Sequence, residues 1–226
     1  TLTMKQWLTD NGFTSSYLHW YVNYCTRDDF GTTHDKASAW AGIHYFASRK
    51  GKGDNAEHQD VLTWPEGNGW LVQQLEKNLQ GKTQTGALVI RVAVHQEEVL
   101  IDYLDIQSKQ LRRIRARQCI MAIPQFVAAR LLEDKDRIGR VQQHFQYMPW
   151  MVANLTVTGL EERSGAIMSW DNVVYESDSL GYVEATHQLL QQHRSKRNLT
   201  YYLPLTRLSA AEARKEAQQK TYEEWV

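Results

Sequence analysis

"ALVIRVAVHQEEVLIDYLDIQSKQLRRIRA", residues 87–116, decides the fold class because apolar and polar residues alternate along it with a period of two. The alternation falls into three runs, 87–94, 98–105 and 110–116, which are separated by the short polar turns HQE and IQSK. Consecutive strands with short connections form an antiparallel meander. The stretch therefore predicts three antiparallel strands in chain order.

Before this stretch the apolar period is helical. Residues 3–12, 14–25 and 33–51 each begin near a Ser or Thr that can cap a helix, and TRDDFG (26–31) is expected to interrupt the second of them. A further helix over 69–80 places four apolar residues on one face: Leu71, Val72, Leu75 and Leu79. The first 80 residues are predicted to be mainly helical, with a loop over 51–60.

After the meander, strands and helices alternate irregularly. The run RQCIMAIP (117–124) is continuously apolar, which predicts a strand buried on both faces, and a short helix is expected after it. Ser209 and Glu212 have the spacing of a capping box, which predicts a final helix. The remaining strand candidates are 150–160, 165–176, 181–188 and 198–205. The chain is thus predicted to be α+β, a mixed fold without regular βαβ alternation.

Composition limits the class of partner. The chain has 226 residues, of which 42% are apolar, with eight Trp and eleven Tyr, so it is long enough for one large domain or two small ones. Lys plus Arg and Asp plus Glu are equal at 26 each, whereas a nucleic-acid-binding protein usually has a basic excess. Basic clusters are short, at 111–117 and 193–197. We therefore expect no nucleic-acid partner.

Cysteine use, hydropathy and the chain ends indicate the setting. Cys25 and Cys119 lie in unrelated contexts, so neither a disulfide framework nor a zinc site is predicted, and a cytoplasmic location is expected. No apolar run approaches the ~20 residues that a membrane span needs. Because the chain begins without Met and stops inside a helical pattern, we expect it to be a piece of a longer protein.

The turn WPEGNG (64–69) admits two interpretations. Its backbone N–H groups, at the start of a helix, can hold a phosphate or a carboxylate. Alternatively it is a loop-to-helix corner, in which Gly67 and Gly69 take positive φ and Asn68 caps the helix. The residues alone favour the corner, because the chain has neither a G-x-G-x-x-G nor a G-x-x-x-x-G-K-[ST] motif.

Other chemistry-bearing residues give weaker signals. EHQD (57–60) has metal-ligating side chains without evident partners, and the eight His are not spaced as ligands, so no metal site is predicted. RDDFG (27–31) is interpreted as a salt-bridged turn rather than an acid–base site. Aromatic residues on the late strands form either a wall around a flat ligand or part of the core: Trp150, Trp170, Tyr175 and Tyr182, with His187 beside them.

Five stretches together carry a resemblance to a known family. They are YLHWYVNYCTRDDFGTTHDKASAWAGIHYFASR (17–49), LTWPEGNGWLVQQL (62–75), RARQCIMAIPQFVAARLL (115–132), PWMVANLTV (149–157) and WDNVVYESDSLGYVEATHQ (170–188). In this order they resemble the central part of FAD-dependent amine-oxidase-like oxidoreductases, within the superfamily of monoamine oxidase and protoporphyrinogen oxidase. The resemblance covers nearly the whole chain.

The resemblance implies a division of the chain between two domains. Residues 1–55 would be the helical part of a substrate domain, 56–135 part of an FAD-binding domain of Rossmann type, 136–208 the substrate-domain sheet, and 209–226 the start of a C-terminal helix. The glycine-rich FAD motif would lie upstream of this chain, and the segment that closes over the flavin downstream of it.

The resemblance also implies site residues. Cofactor contacts would be made by Trp64, Pro65, Gly67, Asn68, Gly69, Val89, Ala122 and Pro124. Substrate contacts are expected at Trp150, Asn154, Trp170 and Tyr182. No catalytic residue is predicted, because the flavin itself accepts the hydride. Relatives often carry a Lys near the flavin where this chain has Ala153 and Asn154, a departure that sets the usual arrangement for amine oxidation in question.

The sequence thus predicts a fragment of an FAD-dependent oxidoreductase that acts on a small organic molecule, with amines among the candidates and a homodimer left open. Two other functions remain open. One is a stand-alone α+β module that binds a small molecule without redox activity. The other is an interaction protein whose Trp-rich helices at 1–50 dock a partner.

Overall fold

The structure, a computed structural model, describes residues 2–49, 51, 53–56, 62–160, 164–166, 168–188 and 195–225. The acidic stretch EHQD (57–60) and the side chain of His187 lie outside the described residues. The chain divides into two compact units, Thr1–Trp70 with Tyr147–Val226, and Leu71–Gln146. The described residues form helices and two antiparallel sheets, which confirms the predicted α+β class.

The helices of the first unit begin where hydroxyl side chains cap them. They are α1 (Met4–Asp10), α2 (Ser16–Phe30) and α3 (Ala39–Ala47). The side chains of Thr3, Ser15 and Ser38 each accept a hydrogen bond from the backbone N–H three residues further along the chain. The predicted break at 26–31 is wrong, since α2 continues to Phe30 and ends at Gly31, which has φ 61°. Burial of Thr26 and Arg27 holds this last part of the helix in place.

Among the residues that the structure describes, two small clusters form the core of the first unit. Met4, Leu8 and Val22 join α1 to α2, and Gly42 of α3 lies so close that a Cβ there would meet Met4 Cγ at 2.5 Å. In the second cluster, side chains of α2 pack against those of the second sheet: Tyr24, Cys25 and Leu180 with Tyr45, Phe46, Trp150 and Tyr202 around them. The helices therefore cover one part of that sheet.

The next helix, α4 (Gly69–Glu76), runs across the boundary between the units and continues into a 3-10 turn at Lys77–Leu79. Its predicted apolar face exists but buries none of its residues. Val72 is 51% exposed and Leu75 is 68% exposed.

The second unit contains the predicted meander. Its strands are β1 (Ala87–His95), β2 (Glu98–Asp105) and β3 (Gln110–Ala116), paired antiparallel in the order β1-β2-β3. A bulge interrupts the β1–β2 register between Val89 and Arg91. The three predicted strands and their turns are confirmed. In β3, however, nearly every residue is exposed, so both faces of this strand meet solvent.

The predicted strand over 117–124 is wrong. Residues 118–124 belong to no strand or helix, and Ile120 is 92% exposed. A strand buried on both faces needs neighbouring strands, and none of the described strands pairs with this segment. The helix expected after it is α5 (Gln125–Leu131), and a further helix that was not predicted, α6 (Lys135–His144), follows.

The second sheet lies in the first unit and has the order β4-β7-β6-β5, all antiparallel. The strands are β4 (Trp150–Thr158), β5 (Asp171–Asn172), β6 (Gly181–Glu184) and β7 (Lys196–Pro204). The candidate strand at 165–176 is thus reduced to two residues. The last helix, α7 (Ala210–Gln219), begins at Ser209 with the predicted capping box to Glu212.

Candidate functional site

The glycine-rich turn has the geometry of a corner. Gly67 has φ 59° and its N–H donates to the Trp64 carbonyl at 2.9 Å, and the Trp70 N–H donates to the Gly67 carbonyl at 3.3 Å. The rings of Trp64 and Trp70 stack with centroids 5.0 Å apart. Gly69, contrary to expectation, lacks a positive φ because it is the first residue of α4. These two hydrogen bonds close the turn. Its predicted role toward a cofactor, including that of Pro65 and Asn68, stays a prediction.

The other residues predicted to contact the cofactor lie in the second unit. Val89 is half-buried in β1, opposite Tyr103 of β2. Ala122 and Pro124 are exposed in the segment before α5, and Pro124 occupies the N-cap position of that helix. Their predicted contacts with FAD are likewise predictions that these positions leave untested.

The predicted substrate residues do not form one aromatic wall. Trp150 lies opposite Pro204, whereas Tyr182 lies opposite Tyr201, which in turn faces Ala153. Because successive side chains of a strand point to opposite faces, Trp150 and Tyr182 are on different faces of the sheet.

Each of these faces has its own surroundings. Trp150 contacts Tyr202 with ring centroids 6.3 Å apart and belongs to the core cluster with Tyr24. Asn154 shares the face of Trp150 and accepts a hydrogen bond from Thr200 at 2.9 Å. Trp170, just before β5, is 51% exposed. The interpretation of Trp150 as a core residue therefore fits its contacts.

A partly buried polar cluster between α2 and β5 was not predicted. The Tyr24 hydroxyl donates to Asp171 at 2.9 Å, across 147 residues of sequence. Burial, and then this hydrogen bond, raise the pKa of Tyr24 above its ordinary value. Burial also raises the pKa of Asp28, with further contributions from Asp29 and Asp171. No local sequence signal points to such a cluster, because its members come from distant segments.

Arg27 is a buried charged residue in the stretch that the sequence predicted to form a turn. It is 6% exposed, and its two terminal nitrogens donate to the carbonyls of Asp178 at 2.8 Å and Ser177 at 3.4 Å. Burial lowers the pKa of its guanidinium. Arg27 therefore fixes the loop that joins β5 to β6. The predicted salt bridge in RDDFG is formed by Asp29 instead, which pairs with Arg49 at 2.7 Å near the end of α2.

The basic cluster at 111–117 is matched by acids of the neighbouring strand. Arg113 pairs with Asp102 at 2.5 Å, and Arg112 lies 3.6 Å from Asp105. Hydrogen bonds from Arg113 first, and from Arg91 as well, lower the pKa of Asp102 to about 2. These arginines serve cross-strand pairing within the sheet.

The described part of the chain has neither a membrane span nor a metal-binding cluster. No described helix is long and apolar enough to cross a bilayer. Among the described residues, no group of three or more His, Cys, Asp and Glu side chains is arranged to hold a metal ion. One cavity, of about 570 Å³, lies in the first unit between β7 and α7.

Known proteins resemble this chain in their fold. No family model and no curated protein matches the chain. Among the solved structures that match are a triple mutant and a single mutant of putrescine oxidase, both from a structure-based redesign of its cofactor binding. For the triple mutant the TM-score is 0.69 at 13% identity, over 99% of this chain and 47% of that one. For the single mutant it is 0.66 at 14% identity, with the same coverage.

The chain therefore spans somewhat less than half the length of the solved structures it matches, 47%. At 13–14% identity this likeness concerns the fold alone. The chain has the fold of part of an amine oxidase.

Proposed function

We propose that this chain is the inner part of an FAD-dependent oxidoreductase of the amine-oxidase-like family. One observation carries the proposal: the fold matches putrescine oxidase with a TM-score of 0.69 over 99% of this chain. The five resembling stretches of sequence, in the same order, agree with it. In this proposal the protein oxidises a small organic molecule by hydride transfer to the flavin, and amines are among the candidate substrates.

Apolar faces without a cover support the proposal. On α4, Leu75 is 68% exposed, and in the three-stranded sheet Val94 is 75% and Leu111 72% exposed. Ile120, in the segment after that sheet, is 92% exposed. Leu88 and Leu111 flank Leu104 on one face of the sheet, whereas Val94 lies on the other face. Neighbouring exposed apolar side chains mark positions where further protein or a ligand packs. In the proposed enzyme the rest of the cofactor domain packs there, and residues 118–124 pair with its sheet.

The total accessible surface supports the same view. It amounts to 17626 Å². Two separate compact domains with the sizes of the two units would together expose about 12,700 Å², by the usual scaling of surface with mass. The surface of the chain is larger than this value, as expected of a chain whose apolar faces are covered by further protein.

The chain's own residues fit a supporting role toward FAD. A Cβ at Gly67 or Gly69 would meet no atom within 4 Å, so a ligand can approach the backbone of this turn closely. When bound, the flavin supplies the hydride acceptor. The residues proposed to contact it are Trp64, Pro65, Gly67, Asn68 and Gly69 and, separately, Val89, Ala122 and Pro124. Their task is to position the cofactor and to exclude water.

The substrate side of the proposal involves Asn154. Thr200 donates to its side-chain oxygen at 2.9 Å, which leaves the amide N–H groups available to a substrate. Where relatives often have a Lys, this chain offers a neutral amide donor. We therefore propose that the substrate presents a hydrogen-bond acceptor to Asn154, while Trp150 supports that face from the core.

A pair of variants tests the cofactor contact. In the natural protein that contains this chain, Ala122→Glu places a carboxylate in the proposed cofactor contact and is expected to lower the flavin bound per protein several-fold. Ala211→Glu, at an exposed position of α7, is the matched control and should retain the flavin. Flavin is measured by absorbance after denaturation. Equal flavin content in the two variants would show that Ala122 does not contact the cofactor.

A second candidate function rests on the cavity of about 570 Å³ in the first unit. A cavity formed within one unit suits a stand-alone binding module, which needs neither flavin nor further chain. A natural protein that binds no FAD but binds a small molecule in this cavity would favour the module. A homodimer and a cytoplasmic location stay predictions under both functions.

A further inference from the structure

The cavity in the first unit has a structural origin that can be read from α7. Helix α7 forms one wall of the cavity, and Tyr201 and Leu203 of β7 form the wall opposite it. On the helical side it is lined at positions i, i+3, i+4 and i+7 by Ala213, Glu216, Ala217 and Lys220. An amphipathic helix usually faces a sheet with larger apolar residues. Because alanines stand at two of these positions, a space of about 570 Å³ remains, which is within the range of small-molecule sites.

One wall of this cavity is fixed from behind. Ser177, Asp178 and Ser179 line it, and the buried guanidinium of Arg27 donates to the carbonyls of the first two, at 3.4 and 2.8 Å. The hydroxyls of Ser177 and Ser179 lie 2.9 Å apart, and the Gly181 N–H donates to Ser179. A wall held this way loses little conformational entropy when a ligand binds.

An aromatic ring completes the lining. Trp225 contributes to the cavity, and Lys220 Nζ lies 4.7 Å from its ring centroid. The same ammonium lies 3.5 Å from Glu216. The ring is thus held by a cation–π contact and offers a flat apolar surface to a ligand.

The charges around the cavity are balanced and exposed. Arg207 pairs with Asp178 and Lys220 pairs with Glu216, so two cations and two anions border it. The Arg207 side chain is 78% exposed, and those of Asp178 and Glu216 are 56% exposed. Each guanidinium or ammonium keeps further N–H donors, and each carboxylate keeps further acceptor positions. A ligand with one charge would meet a like charge here, whereas a ligand with both charges would be matched.

We propose that this cavity binds a zwitterionic small molecule with an apolar or aromatic body, of the size of a free aromatic amino acid. The body lies on Trp225 and between α7 and β7. Its carboxylate is recognised by Arg207 and its ammonium group by Asp178 or Glu216. The site does not depend on the proposed flavin function, because the residues predicted to contact cofactor or substrate are not among those that line it.

Calorimetric titration of the natural protein with three related compounds tests the ligand class. Phenylalanine carries both charges, 2-phenylethylamine lacks the carboxylate, and 3-phenylpropionate lacks the ammonium group. We expect phenylalanine to bind saturably and about tenfold or more tightly than either analogue, since each lost charged hydrogen bond weakens binding by about that factor. No saturation, or equal affinity for all three, would overturn the proposal.

Variants of α7 locate the binding. Ala217→Trp fills the cavity and should abolish the heat of phenylalanine binding. Ala211→Trp adds the same side chain at an exposed position of the helix and should leave binding unchanged. Trp225→Ala, near the end of the chain, provides a second test in case the filled cavity prevents folding, and it should weaken binding several-fold. Wild-type affinity in either Ala217→Trp or Trp225→Ala would contradict the site.

Discussion

At the scale of single residues, Gly181 shows most sharply how backbone geometry constrains the sheet. It has φ 87°, and a Cβ there would lie far inside the van der Waals radius of the Asn172 carbonyl oxygen. Both the conformation and the close approach of β5 to β6 require glycine. The sequence contains this glycine within the stretch that resembles the flavoprotein family, but only the pairing of strands reveals why it is there.

We expect Gly181→Ala to lower the free energy of unfolding by about 2–4 kcal/mol, because backbone strain adds to a steric clash. Gly12→Ala is the matched control, since Gly12 also has a positive φ, 76°, but has no atom within 4 Å of a Cβ. That variant should lose only about 1 kcal/mol. Urea denaturation measures both. Equal losses would show that the clash is relieved at no cost.

Asp28 provides a pH-dependent prediction at the same scale. Burial raises its pKa in the folded chain above the ordinary value of 3.8, so the folded state binds the proton more tightly than the unfolded state does. The protonated Asp28 carboxyl therefore stabilises the folded state. This stabilisation is complete below the pKa of the unfolded chain and is lost as the pH rises through the pKa of the folded chain. Asp28→Asn does not titrate. Its free energy of unfolding should therefore gain on that of the wild type as the pH rises above 3.8. A difference that is constant with pH in urea denaturation would contradict the burial of Asp28.

Site residues divide between those that sequence can indicate and those that it cannot. The corner at Gly67 follows from local signals, because glycine spacing and the start of a helix lie within a few residues. The hydrogen bond between Tyr24 and Asp171 joins residues 147 positions apart, and no periodicity encodes it. The separation of Trp150 from Tyr182 depends on strand register, which the sequence left open.

At the scale of elements, helices and strands were predicted correctly from local sequence signals where their contacts are local. The meander β1-β2-β3 and the capped start of α7 follow from period, short turns and cap residues. The strand predicted at 117–124 is absent and the one predicted at 165–176 is only two residues long, because a strand exists only where a neighbour pairs with it. The end of α2 was also missed, since burial of Arg27 outweighs the polar, turn-like composition of residues 26–31.

The helix α4 yields a prediction about association. Its apolar face, with Leu75 68% exposed, should make the 226-residue chain self-associate in solution. Leu75→Lys should shift the chain toward the monomer with little change in melting temperature, because this side chain buries little. Gln73→Lys adds the same charge away from the apolar face and is the control. Sedimentation velocity distinguishes the species, and a wild-type chain that stays monomeric at high concentration would contradict this role of α4.

At the scale of the whole molecule, the proposed function depends on surfaces that this chain leaves uncovered. Similarity of fold to putrescine oxidase extends over 99% of the chain but 47% of that protein. The uncovered faces of α4 and of the three-stranded sheet are what an inner section of a larger enzyme would have. Sequence patterns indicated the elements, but the exposure of their apolar faces became visible only in three dimensions.

The visible absorption spectrum of the natural protein that contains these residues tests this claim most directly. We expect the purified protein to be yellow and to release about one FAD per polypeptide on denaturation, since a flavoprotein of this class holds one cofactor. We also expect residues 1–226 alone to bind FAD weakly, because the phosphate-binding glycine motif is absent from them. A colourless natural protein that takes up no added FAD would contradict the proposed function.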